Sequence, residues 1–507
     1  MTTIQPENTS FGEPREDQFP RTNASARCSD PDAKPAGFYA HVSRVQTAQI
    51  LMLQQENVID EAAGGVILRA IDAARLGQQA LTESVWGVVS AAEDRIDASL
   101  PADISGAASL GRTRSETIAT ALRMDWREQL ASLALLSLDV RTVLHELAHV
   151  HSVTVMGAFA DRRAVAPTTL AHFLGGVIGP LESTWPRLLS AIDALDRSPL
   201  GSGLLVAEIF SADRNATADL LGFREPIANT LDASGAIEDI VEALEAISAQ
   251  AAVVQRFIHE LLIWIRTDPT SFFIDERWET VPEPGHPAHA VSNRLEQINY
   301  RAKHVGVYAH GAVELLRSQA YGPVSVVWNQ IAENVNGVFG HAESLLVSAR
   351  DAVREALIVN RAYLANRAGR LYSTAADLAG FLMEDQQLGP ADAQKIAGLA
   401  IARLKEESLE AAQINPDVID SAAVLVIGQE LKVEMETLGR YIAPRRYIER
   451  RDVLGSPKAD RTRSWLEHVA AGIKRDQSEV TIRRERWHAA ERDIENVLAA
   501  SAESVEN

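Results

Sequence analysis

Residues 237–268 read IEDIVEALEAISAQAAVVQRFIHELLIWIRTD. Ile237, Val241, Leu244, Ala251, Val254, Ile258, Leu261 and Ile265 return at three- and four-residue steps. That is the period of one helix face, and Asp268-Pro269 closes the run because a residue before proline is pushed out of helical conformations. Two more stretches carry the same signature. One runs through Leu295, Ile298, Ala302, Val305, Ala309, Ala312 and Leu316; the other through Val324, Trp328, Ile331, Val335, Val338, Ala342, Leu345 and Ala349. At about 1.5 Å of rise per residue each rod reaches roughly 35 to 45 Å, too long for a small globule. Faces rich in alanine with interspersed glycine let helices approach closely. The fold class predicted is therefore all-α, built on an extended long-helix bundle of a kind often shared between copies. Alternating strand patterns are nearly absent.

The chain of 507 residues, 46% hydrophobic, has material for two or three domains or one large helical body. Residues 1–36 are rich in Pro, Asp, Glu, Ser and Asn without apolar periodicity, which predicts a mobile arm. From about residue 370 the pattern restarts in shorter helices and reads as a C-terminal unit. The single cysteine, Cys28, excludes a disulfide framework and a zinc site built on thiolates, and the cytosol is its natural setting. The N-terminus has no leader-like pattern and no stretch is apolar enough to span a membrane, so no membrane partner is expected. A net charge of -20 argues against nucleic acid as a partner.

The stretch LHELAHVH, residues 144–151, places His145, Glu146 and His149 at the spacing that zinc peptidases use for two ligands and a general base. Only three positions define that pattern. No third ligand follows at the expected distance, and the bland reading is a helix face that carries two histidines. No metal and no cofactor are expected.

More specific is SLGRTRSETIATALRM, residues 109–124. It resembles the Gly-Arg-Ser-Arg-Asn-Asp-Gln segment of argininosuccinate lyases, members of the fumarase/aspartase superfamily. SAAEDRI, residues 90–96, resembles the helix that precedes it in that family. RSPLGSG, residues 197–203, NTLDA, residues 229–233, and APRRYIE, residues 443–449, resemble later segments in the same order. The likeness spans about residue 38 to about 470. It implies a protomer of three domains, with divisions expected at 37–125, 126–368 and 369–507. It also implies that the central helices of four copies form a twenty-helix core, so that the chain's main partner is itself in a homotetramer.

The resemblance implies cleavage of a C–N bond in an N-substituted aspartate with release of fumarate. Removing a weakly acidic proton beside a carboxylate needs a placed base and donors for the developing negative charge. Arg112 and Arg114 stand where the family has two arginines, and Arg114 with Thr113 and Ser115 would hold the carboxylate of a small acidic substrate, unless both arginines form structural ion pairs. Asn229 and Tyr321 are the further candidate binding residues.

The remaining loops depart from the family. Asp161 occupies the position of its catalytic histidine. The loop that carries its serine base and a lysine reads ETVPEPGHPAHAVSN, residues 279–293, with no serine at the base position. His286 and His289 are the candidate proton-handling groups there, since imidazole titrates near neutrality; two idle surface histidines are the alternative. Residues after Tyr321 are Pro323, Val324, Val326 and Val327 in place of charged and amide groups, so argininosuccinate itself is not the expected substrate. A lyase acting on another adduct is the leading expectation, and a catalytically inactive assembly the second.

Overall fold

The structure, a computed structural model, describes residues 37–76, 84–160, 163–210, 213–275, 278, 293–322, 327–370, 372–374 and 376–503. Helices α1 (Phe38–Gln55), α2 (Glu61–Leu76) and α3 (Val85–Ser99) precede the first of five long rods, α4 (Arg114–Val150). A hairpin of β1 (Val155–Ala160) and β2 (Arg163–Thr169) turns the chain into α5 (Leu170–Leu195). Short β3 (Arg197–Ser198), α6 (Arg214–Leu220), β4 (Glu225–Pro226) and α7 (Thr230–Gly235) lead to α8 (Glu238–Thr267). After β5 (Phe272–Ile274) come α9 (Asn293–Arg317) and α10 (Trp328–Asp351), which end at β6 (Leu357–Val359). The chain continues through α11 (Arg361–Arg370), α12 (Ala376–Glu384), α13 (Pro390–Glu406), α14 (Pro416–Ile427), α15 (Met435–Ile442), α16 (Pro444–Glu449) and α17 (Ala459–Glu503). The fold is all-α in class: among the described residues the strands form three two-stranded ladders, β1 with β2 antiparallel, β3 with β4 parallel, and β5 with β6 antiparallel.

Helices α4, α5, α8, α9 and α10 pack as neighbours around one apolar core. The heptad-like stripe of α8 explains its place there: Leu244, Ile247, Ala251, Val254, Ile258 and Leu261 are all buried. Asp268 leaves helical geometry at φ -150° and ψ 74°, as its following proline requires. Three arginines one or more turns apart on α4 are buried, and each meets an acid on a different element. Arg123 pairs with Asp239 of α8, Arg127 with Asp196 after α5, and Arg141 with Asp476 of α17. Such pairs fix the register of neighbouring rods more than they add stability, because desolvation offsets most of the Coulomb gain.

Helix α17 reaches roughly 68 Å at 1.5 Å per residue. Leu466, Val469, Val480, Trp487, Ile494 and Leu498 line its buried stripe and belong to the same core as the long rods. The sequence reading grouped residues 369–507 together, yet α17 lies against α4 and α2. A second core joins only the short helices, with Leu378, Phe381, Leu382, Ile396, Ile419 and Leu438 among its members.

Candidate active site

The head of α4 is organised by a capping box. Thr113 Oγ1 accepts from Glu116 N at 3.3 Å, and Glu116 Oε1 accepts from Thr113 N at 2.7 Å. The other carboxylate oxygen of Glu116 accepts from Ser202 Oγ at 3.1 Å and from Gly203 N at 2.7 Å. One buried carboxylate thus joins the start of α4 to the loop over residues 199–210. Burial pushes the Glu116 carboxyl above its ordinary range, against the hydrogen bonds from Thr113, Gly203 and Ser202 that favour its charged form.

Glu93 of α3 divides the two arginines. Its Oε1 accepts from Arg112 Nη1 at 3.0 Å, and its Oε2 accepts from Arg114 Nε. Arg112 is buried; its Nη1 also donates to Thr117 Oγ1 at 3.2 Å and its Nη2 to the Ala108 carbonyl at 2.9 Å. Both arginines thus pair with an acid, as the ion-pair alternative named, and Arg112 has its side chain almost wholly enclosed. Arg114 differs: its side chain is 39% exposed, and among the described residues only its Nε has a hydrogen-bond partner. Both terminal amino groups of Arg114 remain available in a planar fork that matches a carboxylate. Ser115 is buried and its Oγ lies 3.4 Å from the Trp328 indole nitrogen, at the first turn of α10.

Around this head three more segments converge. Gly111, at φ +70°, lies so close to the 199–210 loop that an added Cβ would sit 3.0 Å from the Phe210 carbonyl oxygen. Within that loop Leu205 and Ala207 hold φ of 109° and 64°. Conformations of that kind cost about 1–3 kcal/mol each for residues with side chains. The Glu116 clasp and the bond from Ala207 N to the Ser202 carbonyl, 2.9 Å, hold the loop in place. Gly235, at the end of α7, touches the backbone of Gly322: a Cβ there would meet Gly322 N and O at 2.8 Å. Tyr321 is therefore carried to the α7 side of the site, 90% exposed. Asn229 caps α7 by accepting from Leu231 N and Asp232 N at 2.9 and 3.2 Å. Leu204, Val206, Ile209 and Leu231 add exposed apolar surface beside these groups.

Of the other candidate residues, only His145 and His149 are described, and they do not join this group. Asp161, His286 and His289 lie outside the described residues. The hairpin that leads to Asp161 follows the far end of α4, which at 1.5 Å per residue stands roughly 54 Å from Arg114. His145 and His149 sit in the last turns of α4, where His145 Nε2 lies 3.0 Å from the Leu466 carbonyl oxygen and His149 is exposed. Among the described residues no three acidic, histidine or cysteine groups come together as a metal site. Sequence reasoning gave no role to Glu93, Ser202 or Gly203; Glu93 was visible only as one letter of the 90–96 likeness.

Comparison with known proteins bears on this arrangement. A model of the lyase family matches residues 60–278. The argininosuccinate lyase of Methanothermobacter thermautotrophicus is 24% identical over 440 residues, 85% of this chain and 92% of that one. That of Methanocorpusculum labreanum is 27% identical over 458 residues, covering 86% and 88%. The chain is thus similar over most of its length to lyases of the fumarase/aspartase superfamily. Solved structures from the superfamily share its fold. EDDS lyase in complex with formate superposes with a TM-score of 0.83 at 18% identity, covering 94% of this chain and 95% of that one. The fumarate lyase from Mesorhizobium sp. BNC1 gives 0.67 at 16% identity, covering 85% and 95%. The relatives that the chain matches are lyases, and it shares the helical fold of the solved ones.

Proposed function

We propose that the protein is a carbon–nitrogen lyase that expels an amine from an N-substituted aspartate, with fumarate or a related unsaturated acid as the other product, or runs the same chemistry as an addition. The observation that carries this reading is the state of Arg114: Glu93 holds Nε, and the half-exposed side chain keeps its two terminal amino groups without a hydrogen-bond partner among the described residues. Similarity to argininosuccinate lyases and to EDDS lyase supports the carbon–nitrogen class. Replacement of the polar groups after Tyr321 by Pro323, Val324, Val326 and Val327 speaks against argininosuccinate as the substrate.

In this reading Arg114 binds a substrate carboxylate, with Thr113, Ser115, Asn229 and Tyr321 around it. As the proton leaves the adjacent carbon, negative charge accumulates on the second carboxylate and fixed donors stabilise it. The base comes from Asp161, His286 or His289. Asp161 follows a strand whose start lies a whole helix length from Arg114 in the same chain, so residues of separate copies complete each site. A homotetramer, the usual assembly of the superfamily, supplies them. The nearly bare Val206 and Ile209, 86% and 89% exposed beside the site, are surface that a second copy would cover.

Absorbance of fumarate released from a panel of N-substituted aspartates tests the reading. Turnover that Arg114→Ala abolishes supports it; no turnover with any adduct favours an inactive assembly. That second reading draws on the two departed loops: the aspartate at position 161 where the family has a histidine, and the 279–293 loop with no serine at the base position. A zinc peptidase gains nothing, since His145 Nε2 is engaged by a carbonyl and lacks a free lone pair there.

A further inference from the structure

A cavity of about 370 Å³ opens between β1, the first turns of α5 and the second half of α8. Its size falls within the range of small-molecule pockets. Phe159, Phe173, Phe257 and Trp264 wall it. The rings of Phe173 and Trp264 lie 4.5 Å apart at 54°, and Trp264 in turn stacks on Phe272 at 4.9 Å, so the aromatic wall is braced from behind.

Two charged residues, Arg256 and Glu260, stand at the same cavity one turn apart on α8. Among the described residues neither has an ion-pair or hydrogen-bond partner. His172, by contrast, is committed: Nδ1 meets Thr168 Oγ1 at 2.9 Å and Nε2 meets the Gly455 carbonyl at 3.0 Å. An exposed pairing of Arg256 with Glu260 would be worth only about 0.3–0.5 kcal/mol, so a ligand that separates them loses little. An apolar acid at this place would leave its charge beside Glu260, and an apolar amine beside Arg256. A zwitterion with an apolar body satisfies both.

We propose that this cavity binds a free α-amino acid with an aromatic side chain, its carboxylate on Arg256, its ammonium on Glu260 and its ring against Phe173 and Trp264. Within one chain the site lies at the far end of the bundle from Arg114, and it does not depend on whether the Arg114 site turns over substrate. Its wall includes β1, the strand that leads to Asp161, so occupancy would steady that hairpin.

Saturation-transfer NMR on the full-length protein with L-phenylalanine tests the proposal. Transfer to the ring protons is expected, at least tenfold weaker affinity for phenethylamine and for 3-phenylpropanoate, and a tenfold or greater loss in R256Q and in E260Q. Gly176 lines the cavity with open space where a Cβ would go, so Gly176→Leu fills it without a backbone clash and improves helix propensity. That variant should remain folded and show no transfer. Saturating fumarate should leave the signal unchanged. The proposal is overturned by absence of transfer, as when a second copy occupies the cavity, by equal binding of the one-charge analogues, by indifference to R256Q and E260Q, or by displacement with fumarate, which would place the ligand at the Arg114 site.

Discussion

Glu93 accepts from Arg114 Nε with one carboxylate oxygen and from buried Arg112 with the other, so a single acid both anchors the head of α4 and aims the exposed guanidinium. Arg114 thereby presents its two terminal amino groups in one orientation. Glu93→Gln keeps the shape and removes the charge. On the proposed function the variant should raise KM for the acidic substrate tenfold or more while kcat changes less, because a loosened Arg114 fork weakens ground-state carboxylate binding. A proportional fall of kcat with KM unchanged would contradict a positioning role for Glu93.

Stability should respond at the same position. Arg112 is almost wholly enclosed, and stripping a buried cation of its partner costs about 3–5 kcal/mol. Glu93→Ala should therefore lower the denaturant midpoint markedly, whereas Arg114→Ala, at an exposed side chain, should lower it little. Equal midpoints for the two variants would mean that Arg112 finds another acid.

Glu116 closes the capping box of α4 with two hydrogen bonds to Thr113 and ties that first turn to the strained 199–210 loop with two more, from Ser202 and Gly203. Glu116→Ala removes the capping box and the clasp on Ser202 and Gly203 together, with an expected cost of about 2–4 kcal/mol. Hydrogen exchange should rise first at residues 202–207, and protection left intact there would show that the loop is held by something else.

Burial, and next the cations Arg44 and Arg127, push the His41 imidazole down to about 3, and Arg44 Nη1 lies 3.2 Å from its Nδ1. The folded chain keeps His41 neutral while the unfolded chain takes up a proton near 6.5, so this stability is complete above pH 6.5 and is lost as pH falls toward 3. At about 1.36 kcal/mol per unit the full loss is on the order of 5 kcal/mol. Urea denaturation between pH 7 and pH 4 should show a slope that His41→Asn flattens, and an unchanged slope would assign the acid sensitivity elsewhere.

Much of the bundle was legible because a rod buried on one side writes its face into the sequence. The runs through Ile237, Leu295 and Trp328 became α8, α9 and α10 within a few residues of where their apolar periods begin and end. The extent of α17 was not: its buried positions, such as Trp487 and Ile494, are separated by arginines, glutamates and histidines. Those charges find distant partners, as Arg486 and the Trp487 indole do on Asp196, and no local pattern reveals them. The site was half legible for the same reason. Arg114 was visible through the likeness of residues 109–124, but the division of labour between it and Arg112 depends on which one reaches the enclosed oxygen of Glu93. Asp161, His286 and His289 remain assignments from sequence alone.

Arg114 and the hairpin that leads to Asp161 stand at opposite ends of α4 in one chain, so the proposed function requires Arg114 and the proton-handling groups to come together from separate copies. Mixed oligomers test it most directly. Chains carrying Arg114→Gln and chains carrying Asp161→Asn, His286→Ala and His289→Ala together should each be inactive alone. Assembled together, with two affinity tags to select the mixed species, they should regain fumarate release, because some junctions receive an intact Arg114 from one copy and intact acid–base groups from another. Verified mixed oligomers that stay as inactive as either parent would contradict a site shared between copies.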